Sequence, residues 1–176
     1  MLITPNGVEI GRFTPEPRNA DLAARLGITT ELVFGYLGTF AKYEGLLELC
    51  AAAVDLRKTR SAFKMLLLGD GPMLGEVRAY CREHDRAGCI IIHDRVPFHD
   101  VPSFYSLIDV AVFPRLPTEI TEMVSPLKPF EAMAMEKPVI GSDVQAIAEI
   151  IQHDRTGWLF DKGSSAALTQ ALQHAI

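Results

Sequence analysis

Residues 63–84, FKMLLLGDGPMLGEVRAYCREH, carry the pattern that decides the fold of this chain. The nearly uninterrupted apolar run at 63–68 predicts a strand that is buried on both faces, and residues 73–84 have the spacing of an amphipathic helix. Two glycines and a proline separate them, as is typical where a strand turns into a helix. The stretch therefore predicts one strand–turn–helix unit of a parallel sheet.

The same unit recurs along the chain. Further strand-like runs lie at 32–37, 89–93, 110–113, 138–140 and 158–160. Helical spacing occurs at 21–26, 45–54, 101–107, 126–135, 145–152 and 164–176. Alternating strands and helices form right-handed crossovers, so we predict an α/β fold with a Rossmann-like, three-layer arrangement: a parallel sheet flanked by helices on both faces.

Length and composition limit the class of protein. The 176 residues, 48% apolar and 22% charged, are typical of one globular domain, which we place at 21–176 after a linker or edge segment at 1–20. A net charge of -5 argues against nucleic acid as a partner, because broad electrostatic binding needs a basic face. The 3 cysteines show no close pairing, which favours reduced thiols and a cytoplasmic location. No apolar run is long enough to span a bilayer.

The ends of the first two predicted strands carry candidate ligand contacts, because ligands of open parallel sheets bind at the carboxyl ends of the strands. The residues that follow these two strands are Gly38, Thr39, Lys42, Gly69, Asp70 and Gly71. Glycine lets the backbone approach a ligand closely, and a lysine can reach a phosphate. Both segments could equally be ordinary turns between strand and helix. The glycine spacing in the second does not match a dinucleotide fingerprint.

Residues 125–134, SPLKPFEAMA, carry the most informative signal. Ser125 is a suitable N-cap and Pro126 a suitable first helical residue, so we predict that a helix begins here. The unpaired amides of its first turn and the positive end of its dipole would suit a phosphate group. Lys128 and Glu131 share one helix face, where the lysine could face a diphosphate and the carboxylate a ribose diol. The alternative is an ordinary surface ion pair.

Several stretches in this order resemble the C-terminal domain of family 4 retaining glycosyltransferases of the GT-B fold. They are PNGVE (5–9), YLGTFAKYEGLLEL (36–49), LLLGDGP (66–72), VPSFYSLIDVAVFPR (101–115), PLKPFEAMAMEKPVIGSDVQAIAEII (126–151) and TGWLF (156–160). The resemblance covers almost the whole chain. It implies that the chain is the half of a GT-B architecture that binds the nucleotide-sugar donor.

The resemblance also implies partners and an activity. An N-terminal domain that holds the acceptor is expected outside this chain, and it would carry any peripheral association with the inner face of a membrane. The full-length protein is expected to be a hexosyl-type glycosyltransferase that acts with retention, and the isolated chain to be inactive. The donor is expected to be UDP- or GDP-linked, with no metal and no other cofactor.

The functional residues of the family carry over only in part. Its signature has two glutamates separated by seven residues: Glu131 matches the second, whereas Met123 occupies the first position, where the adjacent Glu122 could substitute. The basic pair of the family falls here on Thr39 and Glu44, neither of which is basic. Lys42, Arg115 and Lys128 are the cations left to balance a diphosphate.

From these matches we expect Lys128 and Glu122 to be catalytic. The expected donor contacts are Gly38, Thr39, Lys42, Gly69, Asp70, Gly71, Arg115, Val124, Ser125, Pro126, Leu127 and Glu131. A non-catalytic nucleotide-sugar-binding module, a GT-B-like nucleotide-sugar epimerase and, more remotely, a Rossmann-type oxidoreductase remain open as alternative functions.

Overall fold

A computed structural model describes residues 6–60 and 62–176 of the chain. Its sheet has 6 strands in the order β3-β2-β1-β4-β5-β6, and all neighbouring pairs are parallel. The strands are β1 Leu32–Thr39, β2 Phe63–Asp70, β3 Ile90–His93, β4 Val110–Phe113, β5 Val139–Ser142 and β6 Trp158–Phe160. The order reverses between β1 and β4, and this reversal opens a crevice at the carboxyl ends of the strands.

Helices connect the strands. They are α1 Ala20–Arg25, α2 Leu46–Arg57, α3 Leu74–His84, α4 Val101–Tyr105, α5 Glu119–Met123, α6 Lys128–Ala134, α7 Gln145–Ala148 and α8 Ser165–His174. Two helix starts have the side-chain caps that their sequences favour: Asn19 accepts a hydrogen bond from the Leu22 amide, and Ser164 accepts one from the Ala167 amide. Helix α2 packs against both α3 and α8.

The sheet is covered on both faces. Five consecutive residues of β1, 33–37, are buried, and so are 65–69 of β2. Because successive side chains of a strand point to opposite faces, an unbroken buried run requires packing on each side. Each fully buried leucine or phenylalanine in these strands contributes about 1.5–3 kcal/mol relative to exposure. The predicted Rossmann-like α/β fold is confirmed.

The element boundaries differ from the prediction in informative places. Strands β1 and β2 each extend two residues further than expected, so that Gly38 and Asp70 belong to the sheet and not to a turn. Helix α5 was not predicted. It starts with a capping box in which Thr118 and Thr121 exchange hydrogen bonds between side chain and backbone.

The helix predicted to begin at Ser125 begins three residues later, at Lys128. A helix with Ser125 as its N-cap would use the Ser125 carbonyl to accept the amide of residue 129, but that residue is proline and has no amide hydrogen. The Ser125 carbonyl accepts from the side chain of Asn6 instead, at 3.0 Å. The first helical bond runs from the Glu131 amide to the Leu127 carbonyl.

The segment that precedes α1 packs on the domain. Residues 6–19 contain no helix or strand, yet Phe13 is only 2% exposed. The first five residues of the predicted linker, including the proline of the PNGVE stretch, lie outside the described residues. The boundary between linker and domain at residue 20 stays a prediction.

Candidate functional site

A cleft of about 430 Å³ opens at the carboxyl ends of β1 and β2. Its walls come from the ends of these strands, the loop after β3, the start of α4 and the first residue of α6. The lining residues are Leu37, Gly38, Thr39, Leu68, Gly69, Asp70, Gly71, Arg95, Val96, Phe98, Val101 and Lys128. The volume is within the range of small-molecule sites, and the position is where parallel sheets bind their ligands.

Two glycines shape the floor of the cleft. Gly69 has φ +157° and Gly71 has φ +150°, a region that L side chains rarely adopt. A Cβ on Gly69 would overlap the carbonyl oxygen of Gly38 on the neighbouring strand, and a Cβ on Gly71 would lie 2.7 Å from the carbonyl oxygen of Phe40. The glycines therefore allow close approach of two backbone segments. The structure brings Gly38, Gly69 and Gly71 together in the cleft, and their contact with a donor stays a prediction.

Asp70 and Thr39 complete this wall. The two residues face each other in the register of β1 and β2. The Asp70 carboxylate accepts a hydrogen bond of 2.7 Å from the amide of Gly71, which fixes it at the rim. The wall thus presents backbone, one hydroxyl and one exposed carboxylate.

Lys128 brings positive charge to the opposite wall. Its Nζ donates to both carboxylate oxygens of Glu131, at 2.9 and 3.1 Å. The lysine side chain is 33% exposed, whereas that of Glu131 is 7% exposed. Glu131 therefore lies behind Lys128 and not in the wall of the cleft itself. The two residues share one helix face, as predicted. They also form the ion pair that was the alternative, and this pair is partly buried instead of lying on the surface.

A tyrosine supports the buried carboxylate. The hydroxyl of Tyr105, at the end of α4, donates to Oε2 of Glu131 at 3.3 Å. Burial, reinforced by the negative charge of Glu131, raises the pKa of Tyr105 well above its usual value of 10.0. The hydroxyl consequently stays protonated and acts as a hydrogen-bond donor at any physiological pH.

Arg115 does not line the cleft. Its guanidinium donates to both carboxylate oxygens of Glu44, at 2.9 and 3.3 Å, and to the carbonyl of Val124 at 2.9 Å. The two side chains are only 10% and 11% exposed. This geometry argues against the expected contact between Arg115 and a diphosphate, because each of its three nitrogens already donates to an internal partner. Arg115 anchors the start of the loop after β4 to the segment after β1.

Two further expected residues lie elsewhere. Lys42 follows β1 in a short turn and borders a separate small pocket with Leu46 and Glu76. The Glu122 carboxylate accepts from the Gln145 amide at 2.7 Å and forms an ion pair with Lys162 at 2.6 Å. These hydrogen bonds lower the pKa of Glu122. Their placement argues against Lys42 as a phosphate contact and against Glu122 as a catalytic group.

The loop at 124–127 is also outside the lining of the cleft. The carbonyls of Val124 and Ser125 accept hydrogen bonds from Arg115 and Asn6, and the side chains of Val124 and Leu127 are about half exposed. Pro126 precedes the observed helix instead of starting it. The predicted row of free helix amides at Ser125 is therefore absent from residues 124–127, and Lys128 is the residue of this stretch that reaches the cleft.

Sequence reasoning missed part of the cleft. Arg95, Val96 and Phe98 line it from the loop after β3. The loop follows the carboxyl end of a strand, where ligands of parallel sheets bind, but none of its residues was among the expected donor contacts. Arg95 adds a second cation to the cleft beside Lys128.

Two kinds of feature are missing from the part of the chain that the structure describes. No helix within 6–60 or 62–176 combines the length and hydrophobicity needed to cross a lipid bilayer. No cluster of three or more histidine, cysteine, aspartate or glutamate side chains that could hold a metal ion occurs in that part of the chain. The expectation that donor binding needs no metal ion stays a prediction.

Comparison with known proteins places the chain in a family. The sequence model of the glycosyl transferases group 1 matches residues 31–176, and the chain belongs to this family. The domain is similar to the C-terminal domain of a group 1 glycosyl transferase from Francisella tularensis, with a TM-score of 0.78, 24% identity and coverage of 96% and 87% of the two chains. It is also similar to Anabaena HepE in complex with UDP and glucose, with a TM-score of 0.81, 19% identity and coverage of 96% and 45%. These likenesses establish a glycosyltransferase-type fold of the GT-B class.

Curated relatives agree with the family. The amylovoran biosynthesis glycosyltransferase AmsK of Erwinia amylovora is 24% identical over 94% of this chain. A GDP-mannose-dependent phosphatidylinositol monomannoside mannosyltransferase of Mycobacterium tuberculosis is 25% identical over 96% of it. The chain spans 41% and 44% of the lengths of these two relatives.

Proposed function

We propose that this chain is the donor-binding half of a retaining glycosyltransferase and binds a UDP- or GDP-linked sugar in the cleft at the ends of β1 and β2. The observation that carries the proposal is the Lys128–Glu131 pair, in which a partly exposed ammonium group lies over a buried carboxylate at the mouth of a glycine-floored cleft. The solved complex of Anabaena HepE with UDP and glucose, a protein of the same fold, supports the choice of ligand.

The geometry suggests how the pair would act. Lys128 can turn from Glu131 toward a diphosphate, where its charge would stabilise the negative charge that grows on the leaving group. A carboxylate oxygen of Glu131 released in this way can accept a hydrogen bond from a ribose hydroxyl. Arg95 supplies a second positive charge for the diphosphate, and we expect no metal ion to be needed. The backbone around Gly69 and Gly71 would line the pocket.

Titration calorimetry with UDP, GDP and ADP tests the proposal. The wild-type chain is expected to bind UDP or GDP, and chelation with EDTA is expected to leave the affinity unchanged. Lys128→Ala is expected to raise Kd at least about tenfold, since hydrogen bonds to charged groups contribute about 1.5–3 kcal/mol. Failure of a folded wild-type chain to bind any of the three nucleotides at millimolar concentration would refute the donor site.

Lys58→Ala is the matched control. Lys58 also forms an ion pair with a carboxylate three residues away, with 2.7 Å between its Nζ and Asp55, but it is exposed and lies just after the end of α2. Its removal should leave Kd unchanged. An equal loss of affinity in both variants would show that net charge alone, and not the cleft, attracts the nucleotide.

Sugar transfer itself would need a second domain for the acceptor. The chain spans less than half the length of the two relatives described above, which agrees with an acceptor site outside it. We expect nucleotide binding without transfer by this chain alone, and transfer with retained anomeric configuration by a protein that also carries the acceptor domain. Binding without transfer in that longer protein would favour the non-catalytic module.

A further inference from the structure

We infer that Tyr105 is a positioning residue for Glu131, and that Phe13 of the segment before α1 holds Tyr105 in place. The inference rests on the proposed function, because it assigns these residues a part in holding the donor-binding carboxylate. It makes the segment at 6–14 a component of the donor site, although none of its residues lines the cleft.

The first step is the contact between Tyr105 and Glu131. Tyr105 is 1% exposed, and its hydroxyl reaches the same Oε2 that accepts from Lys128. When Lys128 turns toward a diphosphate, Tyr105 is the neutral donor that remains on the carboxylate. A buried carboxylate without a donor is costly, so the hydroxyl holds the Glu131 side chain in a fixed rotamer.

The second step is the packing behind Tyr105. The Phe13 ring makes an edge-to-face contact with the Tyr105 ring, with 6.0 Å between centroids and 82° between planes. It makes a second such contact with Phe98, at 5.7 Å and 76°. Phe98 lines the cleft. Phe13 therefore packs against two residues of the site: Tyr105, which contacts Glu131, and Phe98.

Neighbouring residues of the segment reinforce this arrangement. The Arg12 guanidinium lies over the Phe98 ring, 4.9 Å from its centroid. The Asn6 side chain donates to the Ser125 carbonyl, three residues before Lys128. The segment at 6–14 therefore contacts the loop after β3 and the loop before α6, the two loops that lead to opposite walls of the cleft. A displacement of this segment would change the positions of both walls.

Tyr105→Phe tests the first step, because it removes one hydroxyl and keeps the ring that packs on Phe13. We expect Kd for UDP or GDP, whichever the wild type binds, to rise about fivefold to tenfold. In a Glu131→Gln background the same substitution should change Kd less than twofold, since the group that it positions is gone. Tyr80→Phe, on α3, is the control and should leave Kd unchanged.

Phe13→Leu tests the second step. It is compared with Phe63→Leu, which also removes a buried edge-to-face aromatic contact, with Phe34, but at the amino end of β2, whereas the cleft lies at the carboxyl end. Both variants should lower the melting temperature by several degrees. Only Phe13→Leu should raise Kd, by about threefold or more, and this increase should shrink in the Tyr105→Phe background. Equal Kd values for the two variants would overturn the role of Phe13.

Nucleotide binding by the wild type separates the failure of this inference from the failure of the proposed function. Thermal unfolding of the Tyr105 and Glu131 single and double variants, measured without nucleotide, reports on the contact itself. Nucleotide binding by the wild type with an unchanged Kd in Tyr105→Phe would overturn the inference and leave the proposed function intact. Absence of nucleotide binding by the wild type would overturn both. If, in that case, the changes in melting temperature of the two single variants do not add up in the double variant, the Tyr105–Glu131 contact stabilises the fold and has no part in nucleotide binding.

Discussion

The guanidinium of Arg115 and the carboxylate of Glu44 form a buried, bidentate ion pair, although the two residues are 71 positions apart in the chain. Glu44 follows β1 and Arg115 follows β4, the two strands at which the order of the sheet reverses. The pair therefore ties together the two loops that flank the crevice. A residue that the sequence marks as a candidate phosphate ligand is used here to hold the site together.

Arg115→Ala is expected to destabilise the fold by about 3 kcal/mol, because it leaves the Glu44 carboxylate buried without its partner. The free energy of unfolding in urea measures this. Arg78→Ala removes an ion pair with Asp94 that is 2.7 Å long but exposed, and should cost at most about 1 kcal/mol. A stable Arg115→Ala variant that has lost only nucleotide affinity would restore Arg115 as a direct ligand.

Gly69→Ala is expected to destabilise the chain by about 3 kcal/mol or more, since the new Cβ would meet the Gly38 carbonyl in a backbone conformation that alanine disfavours. Gly75→Ala is the matched substitution. A Cβ there has nothing within 4 Å, and the residue lies in the first turn of α3. The free energy of unfolding of this variant should therefore increase by about 0.5 kcal/mol. Thermal melts of both variants test the prediction, and similar effects in the two would contradict it.

Glu122→Gln is expected to leave the Kd for a nucleoside diphosphate within twofold of the wild-type value. The carboxylate is occupied by the Gln145 amide and by Lys162, and it is outside the lining of the cleft. The Kd of this variant, measured by titration calorimetry, is compared with that of Glu131→Gln, which should lose affinity. A loss of affinity equal to that of Glu131→Gln would make Glu122 a donor contact after all.

Glu31 should make stability depend on pH. Hydrogen bonds from the Thr29 hydroxyl and amide, both 2.8 Å long, lower the pKa of Glu31 from 4.5 to about 2. Because the folded-state pKa is depressed, the stabilising contribution is present above pH 4.5 and is lost as the pH falls toward 2. The difference in unfolding free energy between wild type and Glu31→Gln should therefore be largest near pH 7 and shrink below pH 4.5. A difference independent of pH would contradict this assignment.

Much of the fold can be predicted from the sequence because its signals are local. The apolar run at 63–68 and the helical spacing after it need no knowledge of distant residues, and both elements are observed. Residues Gly38 and Gly69 were expected at strand ends, and their backbones do meet at the floor of the cleft. Local patterns also led to one error: Ser125 and Pro126 form a good helix start, but Pro129 lacks the amide that this start needs.

The candidate site could be predicted only in outline. Lys128 and Glu131 are neighbours on one helix turn, so their pairing follows from sequence spacing. The ion pair of Arg115 could not be predicted because its partner is distant in the chain, and the same basic side chain can serve a ligand or an internal carboxylate. Arg95 was missed because an arginine after a strand differs in no visible way from any other surface arginine.

The sequence by itself determined the alternation of strands and helices, the family and the pair of charges on α6, since each depends on residues close together in the chain. Only the tertiary structure decided which charges reach the cleft, that Glu131 lies behind Lys128, and that Tyr105 and Phe13 support it. The physical reason is that an ionisable side chain pairs with whichever partner the packed fold brings within hydrogen-bond distance. That partner can be distant in the sequence, so local sequence patterns do not identify it.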